Sequence, residues 1–380
     1  MPGREKRVAA VIFGVALLFS LAIGEVALRW LTPFPIGYES NKMADPDLGY
    51  RLSTDFPEAD ADGFRNVAGT GHRVMAIGDS HTYGNNVAPE DSWPAALSRE
   101  SGQPVYNFGI GSQGILAYHA VLQTRRKPET KVAILALYPG NDFAVVSSNC
   151  LILRNPSPFW QGEIARLQLA WPRPEKNCAD AANQKSRSPG DWLVTHSAIV
   201  GASSAVFGRK GLPADAAKYT FPDGVLPLLV ERVDQHSDST SPDDPVVADL
   251  LRDFRRLAED WARQANAGGV SVGVMIVPSR ERVIYGYFDR NGRLGELAPQ
   301  FAAQLQNQLA LEARAAEALA VAGVPYRFAL DEVVTAFGNA LHEGRSLYLA
   351  NDDGHPLEDG YAAYARVARQ LLDQIAPAAP

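Results

Sequence analysis

Arg73-Val-Met-Ala-Ile-Gly-Asp-Ser-His-Thr-Tyr-Gly84 decides the fold. Its first half, residues 73–77, is an apolar run too short for a helix and closed by Gly78, which predicts a buried strand. Its second half is a tight strand-to-helix turn. A serine in such a turn is exposed, and its backbone N–H can face a developing oxyanion. A plain turn has the same composition, because Gly, Asp and Ser are the commonest turn residues. The tripeptide therefore needs its surroundings.

Downstream the same rhythm repeats. Residues 92–101 predict a helix and 105–108 a strand stopped by glycines. Residues 115–126 predict a second helix and 132–137 a fully apolar third strand. Strand alternating with helix across short loops is the pattern of a parallel sheet covered on both faces. The rhythm breaks over residues 143–245, rich in Pro, Ser and Asp. A structureless loop of that length is uncommon inside a compact domain, so this stretch is expected to form an inserted lobe beside the sheet. Trp160, Trp171, Trp192 and Phe207 would pack that lobe or line a substrate groove. The pattern then resumes, with helices expected at 246–267, 297–322 and 360–375 and strands at 270–277 and 324–329. The expected α/β domain is thus residues 71–142 together with 246–380.

Upstream, residues 32–70 are rich in Pro, Asp and Gly and read as a stalk with an irregular cover. Residues 1–31 read as a membrane anchor. Arg4, Lys6 and Arg7 precede a charge-free run from Val8 to Gly24, about 25 Å long as helix and slightly short of a bilayer core. Glu25 and Arg29 then stand four apart, on one helix face, and Trp30 suits an interface. The basic start predicts a cytoplasmic N-terminus and a single pass, with the rest of the chain exported. The rival is a cleaved signal peptide, since Ala22-Ile23-Gly24 is a small-x-small site. No Cys follows the run, which excludes a lipoprotein.

Hydrophobic residues make up 46 % of the 380-residue chain and charged residues 21 %, enough to bury a real core. The formal net charge is −7 with no Lys/Arg-rich face, so nucleic acid is not an expected partner. Two cysteines, Cys150 and Cys178, have no zinc-like company. Outside the cytoplasm they could pair across the Pro-containing stretch between them or remain thiols, and spacing alone does not decide. Nor does the sequence give an oligomeric state.

Four segments carry chemistry, each just after a strand or in a late loop, where open α/β sheets place their sites. Gly78-Asp79-Ser80 is the first. The second is Asn107-Phe-Gly109-Ile-Gly111-Ser112-Gln-Gly114, whose glycines let backbone approach a ligand. It also matches G-x-G-x-x-G, but no acidic residue ends a strand about 20 residues on, as a dinucleotide site requires. The third is Pro139-Gly140-Asn141-Asp142, where an Asn amide is a good oxyanion donor or a plain turn former. The fourth, Asn351-Asp352-Asp353-Gly354-His355-Pro356, puts an Asp and a His three apart. The His could act as general base with the carboxylate orienting it, or the turn could simply open a helix. His72, His119, His196, His236 and His342 have no comparable setting and read as surface or structural. His81 could contact substrate or pack. Taken together, the four segments supply a nucleophile, oxyanion donors and an Asp/His base in one frame. A classical α/β-hydrolase fits less well, because Ile110 stands where G-x-S-x-G around Ser112 needs glycine.

Gly-Asp-Ser after the first strand, Asn-x-Gly after the second, Gly-Asn-Asp after the third and Asp-x-x-His before the last helix resemble the four blocks of SGNH/GDSL hydrolases. Asp45-Pro-Asp-Leu-Gly-Tyr50 and Asp62-Gly-Phe-Arg-Asn66 also look like bacterial envelope members with an N-terminal membrane segment. The resemblance implies a flavodoxin-like, three-layer fold with no cofactor and no metal. It implies Ser80 as nucleophile, His355 as base and Asp352 as its partner. The implied oxyanion hole is the Ser80 N–H, a second-block N–H and the Asn141 amide. The family's second-block glycine aligns with Ser112, next to Gly111, so either residue could supply that N–H. Pro139 replaces the glycine that usually opens the third block. The expected activity is hydrolysis of acyl esters, acetyl first, on envelope polysaccharide, with lipid esters next. O-acetyl transfer to an envelope polysaccharide and a non-catalytic glycan-binding or scaffold module are the rivals.

Overall fold

The computed structural model describes residues 2–31, 42–67, 69–143, 147–171, 217–220, 227–230, 241–297, 305–349 and 354–376. The chain divides into two compact units. One comprises residues 1–42, 55–57 and 184–213, the other 43–54, 58–183 and 214–380. The described secondary structure of the first unit is a helix, α1 (Pro2–Leu31). Phe13, Leu17, Leu18, Phe19, Leu21 and Ile23 are exposed on it. Among the described residues no helix is long and apolar enough to cross a membrane. The side chains of residues 2–12 and 29–31 lie outside that set.

The second unit opens with two short paired strands, β1 (Lys42–Asp45) and β2 (Gly49–Leu52), in the segment expected as stalk and cover. The main sheet then builds up through β3 (Val74–Gly78), α2 (Ser80–Tyr83), α3 (Trp93–Ser101), β4 (Val105–Gly109), α4 (Ile115–Thr124) and β5 (Val132–Leu137). Helices α5 (Ser147–Arg154) and α6 (Pro158–Leu167) follow, then an antiparallel pair, β6 (Ala217–Thr220) and β7 (Pro227–Val230). The chain returns to the sheet with α7 (Pro245–Asn266), β8 (Ser271–Ile276), α8 (Arg280–Arg290), α9 (Gln306–Ala322), β9 (Tyr326–Phe328), α10 (Leu330–His342) and α11 (Glu358–Ile375).

The five main strands run parallel in the order β4-β3-β5-β8-β9. Numbered by their own succession, that is 2-1-3-4-5, the flavodoxin-like order, with the reversal at β3. Alternation within each strand sorts side chains onto two faces. Val74, Ala76, Ile134, Ala136 and Met275 share a core with Trp93 of α3, Ile284 of α8, Phe337 of α10 and Tyr364 of α11. Met75, Ile77, Leu135, Val274 and Ile276 share the other with Val121 of α4, Trp261 of α7 and Leu319 of α9. Each Val, Leu or Ile side chain so buried contributes about 1.5–3 kcal/mol. The result is the three-layer sandwich that the strand–helix rhythm predicts.

The stretch expected as an inserted lobe is described only in part. Ile152, Leu153, Trp160 and Leu167 are buried in the second of these cores, and Trp171 packs on Trp160 at 5.3 Å between ring centroids. Trp192, Phe207 and Cys178 lie outside the described residues. Cys150 is buried and disulfide-bonded.

Candidate active site

Gly78 ends β3, and the chain turns at once into α2. Asp79 caps this helix, its Oδ1 accepting from the His81 N–H at 2.9 Å. Ser80 is therefore the first helical residue, at the carboxyl edge of the sheet beside the strand-order reversal, where such sheets bind ligands. Two glycines make the packing possible. A Cβ on Gly78 would lie 2.1 Å from Thr82 Oγ1, and one on Gly109 would lie 2.1 Å from Tyr83 N. Gly109, at the end of β4, thus lets α2 sit directly on that strand.

His355 arrives from the far end of the chain. Gly354, at φ +96°, turns the backbone just before it, and Tyr348 and Pro356 form an isolated bridge that pins the turn. The His355 Nε2 stands 2.6 Å from Ser80 Oγ, and both residues are buried, with 7 % of their surface exposed. Two bonds tie the His355 turn and α11 to the loop that follows α2. Asn86 Nδ2 donates to the His355 carbonyl at 3.2 Å, and Tyr361 Oη donates to Asn85 O at 2.9 Å. His81 is buried with its ring 4.6 Å from that of His355 and 4.6 Å from that of Tyr138. Of its two expected roles, these contacts are those of packing.

Asn141, after β5, donates from Nδ2 to Asp79 Oδ2 at 3.3 Å, and that same oxygen lies 3.4 Å from Ser80 Oγ. The structure therefore brings together Asn141, Ser80 and His355. Burial pushes the Asp79 carboxyl above the usual carboxylate range, against the opposing pull of His355 and of the bonds from His81, Asn141 and Ser80. Its neighbour Asp142 accepts from Tyr118 Oη and from the Tyr138 N–H, each at 2.7 Å. Burial, reinforced by the Asp79 charge, pushes Asp142 well above that range.

In the second block, Gly111 and Ser112 follow Ile110, whose N–H donates to Gly78 O at 3.3 Å. Ser112 has φ +60°, the left-handed conformation that a glycine adopts without cost. This is the position where the alignment placed the family's glycine. Asp352, the expected partner of His355, lies outside the described residues, as do Asn351 and Asp353.

Sequence reasoning missed the residues that hold this site from upstream. Tyr50 Oη lies 2.8 Å from Gly111 O and 2.7 Å from Ser112 O, its single proton shared between the two carbonyls. Arg65, buried and paired with Glu58 at 2.6 Å, donates to the carbonyls of Tyr83, Gly84 and Val87 and so fixes the exit from α2. Asn66 exchanges both amide atoms with Asn107, accepting from its N–H at 2.8 Å and donating to its carbonyl at 3.1 Å. Its side chain acts as a strand partner for the edge strand β4. The only signal was that Tyr50, Arg65 and Asn66 lie in the two upstream motifs of the family resemblance.

A second titratable group lies on α4, α6 and α7. His119, Glu163 and Asp260 bring ligand-type atoms within 4.8 Å of one another. Arg166 already spans both carboxylates, donating to Glu163 at 2.9 Å and to Asp260 at 2.7 and 2.8 Å. Trp261 Nε1 donates to His119 Nδ1 at 3.0 Å, which leaves Nε2–H for Glu163 at 2.8 Å. The guanidinium supplies the positive charge here, so the group is a closed ion-pair network and fits the structural role expected for His119.

The chain matches no protein-family model and no curated protein. Among solved structures it is similar to a member of the G-D-S-L family from Desulfitobacterium hafniense DCB-2, at 12 % identity and a TM-score of 0.30, covering 80 % of this chain and 100 % of that one. It is also similar to a member of the lipolytic protein G-D-S-L family from Veillonella parvula DSM 2008, at 10 % identity and a TM-score of 0.32, with 80 % and 100 % covered. Such low identity and TM-scores assign neither activity nor substrate to this chain.

Proposed function

We propose that this chain is a serine hydrolase of the SGNH/GDSL type that cleaves acyl esters through Ser80 and His355. The observation that carries the reading is the 2.6 Å approach of His355 Nε2 to Ser80 Oγ, between residues 275 positions apart. With Nε2 unprotonated, the serine hydroxyl donates to it, which is the geometry of a nucleophile and its general base. Ser80 Oγ attacks the acyl carbonyl carbon as His355 takes its proton. The oxyanion forms among the Ser80 N–H, the second-block N–H and the Asn141 amide. An amide nitrogen carries two protons, so Asn141 holds Asp79 with one and offers the other. His355 then protonates the leaving alcohol, and water, deprotonated by His355, releases the acyl group as a carboxylic acid. Asp352 orients His355 in this proposal. The test is hydrolysis of p-nitrophenyl acetate by wild type, Ser80→Ala and His355→Ala. A rate lost in Ser80→Ala with the fold intact is expected, and a fully retained rate would sink the assignment.

The proposed setting is the envelope, with acetylated surface polysaccharide ahead of lipid esters as substrate. Support comes from the charge-free run of residues 8–24, part of which lies beyond the described side chains, and from the exposed Phe13, Leu17, Leu18, Phe19, Leu21 and Ile23. A C-terminal periplasmic reporter fusion that is active, with the protein in the membrane fraction, is expected. A cytosolic, salt-extractable protein would contradict it.

One observation favours acyl transfer as a second reading: Ser80 and His355 are each 7 % exposed. A shielded acyl-serine lasts longer against water and gives a sugar hydroxyl its chance. An acetylated sugar formed when acceptor is supplied with acetyl donor would distinguish transfer from hydrolysis.

A further inference from the structure

We infer that the second-block oxyanion donor is the Ser112 N–H and that Tyr50, through its hydroxyl, is the positioning residue that aims it; the inference rests on the serine-hydrolase reading above. A trans peptide is planar, so the carbonyl of Gly111 and the N–H of Ser112 share one plane and point in opposite directions. Tyr50 Oη lies 2.8 Å from Gly111 O. That contact turns the Ser112 N–H to the opposite side of the loop, away from Tyr50.

The same hydroxyl lies 2.7 Å from Ser112 O, so it bridges the carbonyls on either side of one residue. That residue is the one held at φ +60°, a conformation that is unfavourable for a non-glycine residue. The bridge helps offset this cost and fixes both peptide planes. Gln113 Nε2 donates back to Tyr50 O at 3.2 Å, and Ser148 N donates to Ser112 O at 3.4 Å, so the loop and its brace are locked together. Tyr50 is buried, with 1 % of its surface exposed, and acts through Ser112 rather than on a substrate.

The test uses the full-length protein in detergent, with p-nitrophenyl acetate as substrate. Tyr50→Phe keeps the ring and removes only the hydroxyl. Misaiming one oxyanion donor should lower kcat by about 10–100-fold, somewhat less than deleting a donor. KM and the pH at which the rate is half-maximal should stay as in wild type, because neither binding nor His355 is touched. A kcat within two-fold of wild type, or a change carried by KM, overturns the inference. A purely structural role is separated by Tyr50→Phe combined with Ser112→Gly, measured against Ser112→Gly alone. Glycine relieves the backbone strain but leaves the N–H unaimed, so the double variant should recover thermal stability and stay slow. Recovery of both overturns the inference. If wild type and Ser80→Ala hydrolyse the ester equally, the hydrolase reading fails and this inference with it. A Ser80-dependent rate that Tyr50→Phe leaves unchanged sinks the inference alone.

Discussion

A serine hydroxyl is a weak nucleophile at neutral pH, and what distinguishes Ser80 is the imidazole placed 2.6 Å from its oxygen. General-base catalysis of this kind is worth about 10²–10⁴-fold. We expect His355→Ala to lower kcat by that factor with KM nearly unchanged, read in steady-state ester hydrolysis. The buried carboxyl of Asp142 gives a second residue-scale prediction. Its pKa in the fold is pushed well above the ordinary value by burial and by Asp79. A raised carboxyl contributes stability that is complete below the unfolded-state pKa, near 4, and lost as pH rises through the folded-state value. The wild-type melting temperature should therefore carry a component of loss with rising pH that is smaller in Asp142→Asn, the raised Asp79 carboxyl keeping its own share. An unchanged slope in Asp142→Asn would contradict the assignment. Residue types and spacing singled out Ser80, Asn141 and His355 in the sequence, and the fold brings the three together. The left-handed Ser112 was not, because nothing in a linear sequence reports the φ of a serine.

At the scale of elements, the sheet strands were legible because they are short apolar runs, as in residues 73–77, closed by Gly78. Helices α8 and α10 were passed over. Their apolar residues, such as Val283, Ile284 and Phe288, recur at helical spacing, but Tyr287 and the flanking charges dilute the stripe. The upstream braces were illegible for another reason. Asn66 meets Asn107 across 41 residues and Tyr50 meets Ser112 across 62, and such pairings have no local period. Glycines test the packing of elements directly. Gly109→Ala would place a Cβ 2.1 Å from Tyr83 N and drive α2 off β4. Overpacking against backbone of that kind should cost at least about 2–3 kcal/mol in denaturant unfolding, and activity should fall with it. Gly162 in α6 has open space around a Cβ, so Gly162→Ala should instead stabilise by about 0.5–1 kcal/mol.

For the α/β unit as a whole, two cores on opposite faces of one parallel sheet carry the fold, and the His119–Glu163–Arg166–Asp260 network links α4, α6 and α7 over one of them. Burial raises the Glu163 carboxyl, but the bonds from His119 and Arg166 outweigh it and bring the group down to about 2. A lowered carboxylate contributes stability above its unfolded pKa that is lost as pH falls toward 2. Glu163→Gln should cost about 1–3 kcal/mol at pH 7, and that difference should shrink steadily below about pH 4. A pH-independent deficit would mean that packing, not charge, is at work.

The central claim is that Ser80 is an activated nucleophile, and labelling by a fluorophosphonate probe tests it most directly. Full-length wild type, Ser80→Ala and His355→Ala would be treated under identical conditions and the labelled peptide identified by mass spectrometry. The account predicts one adduct, on Ser80, absent in Ser80→Ala and formed far more slowly in His355→Ala. A folded wild-type protein that takes up no probe, or takes it up equally after Ser80→Ala, would contradict it.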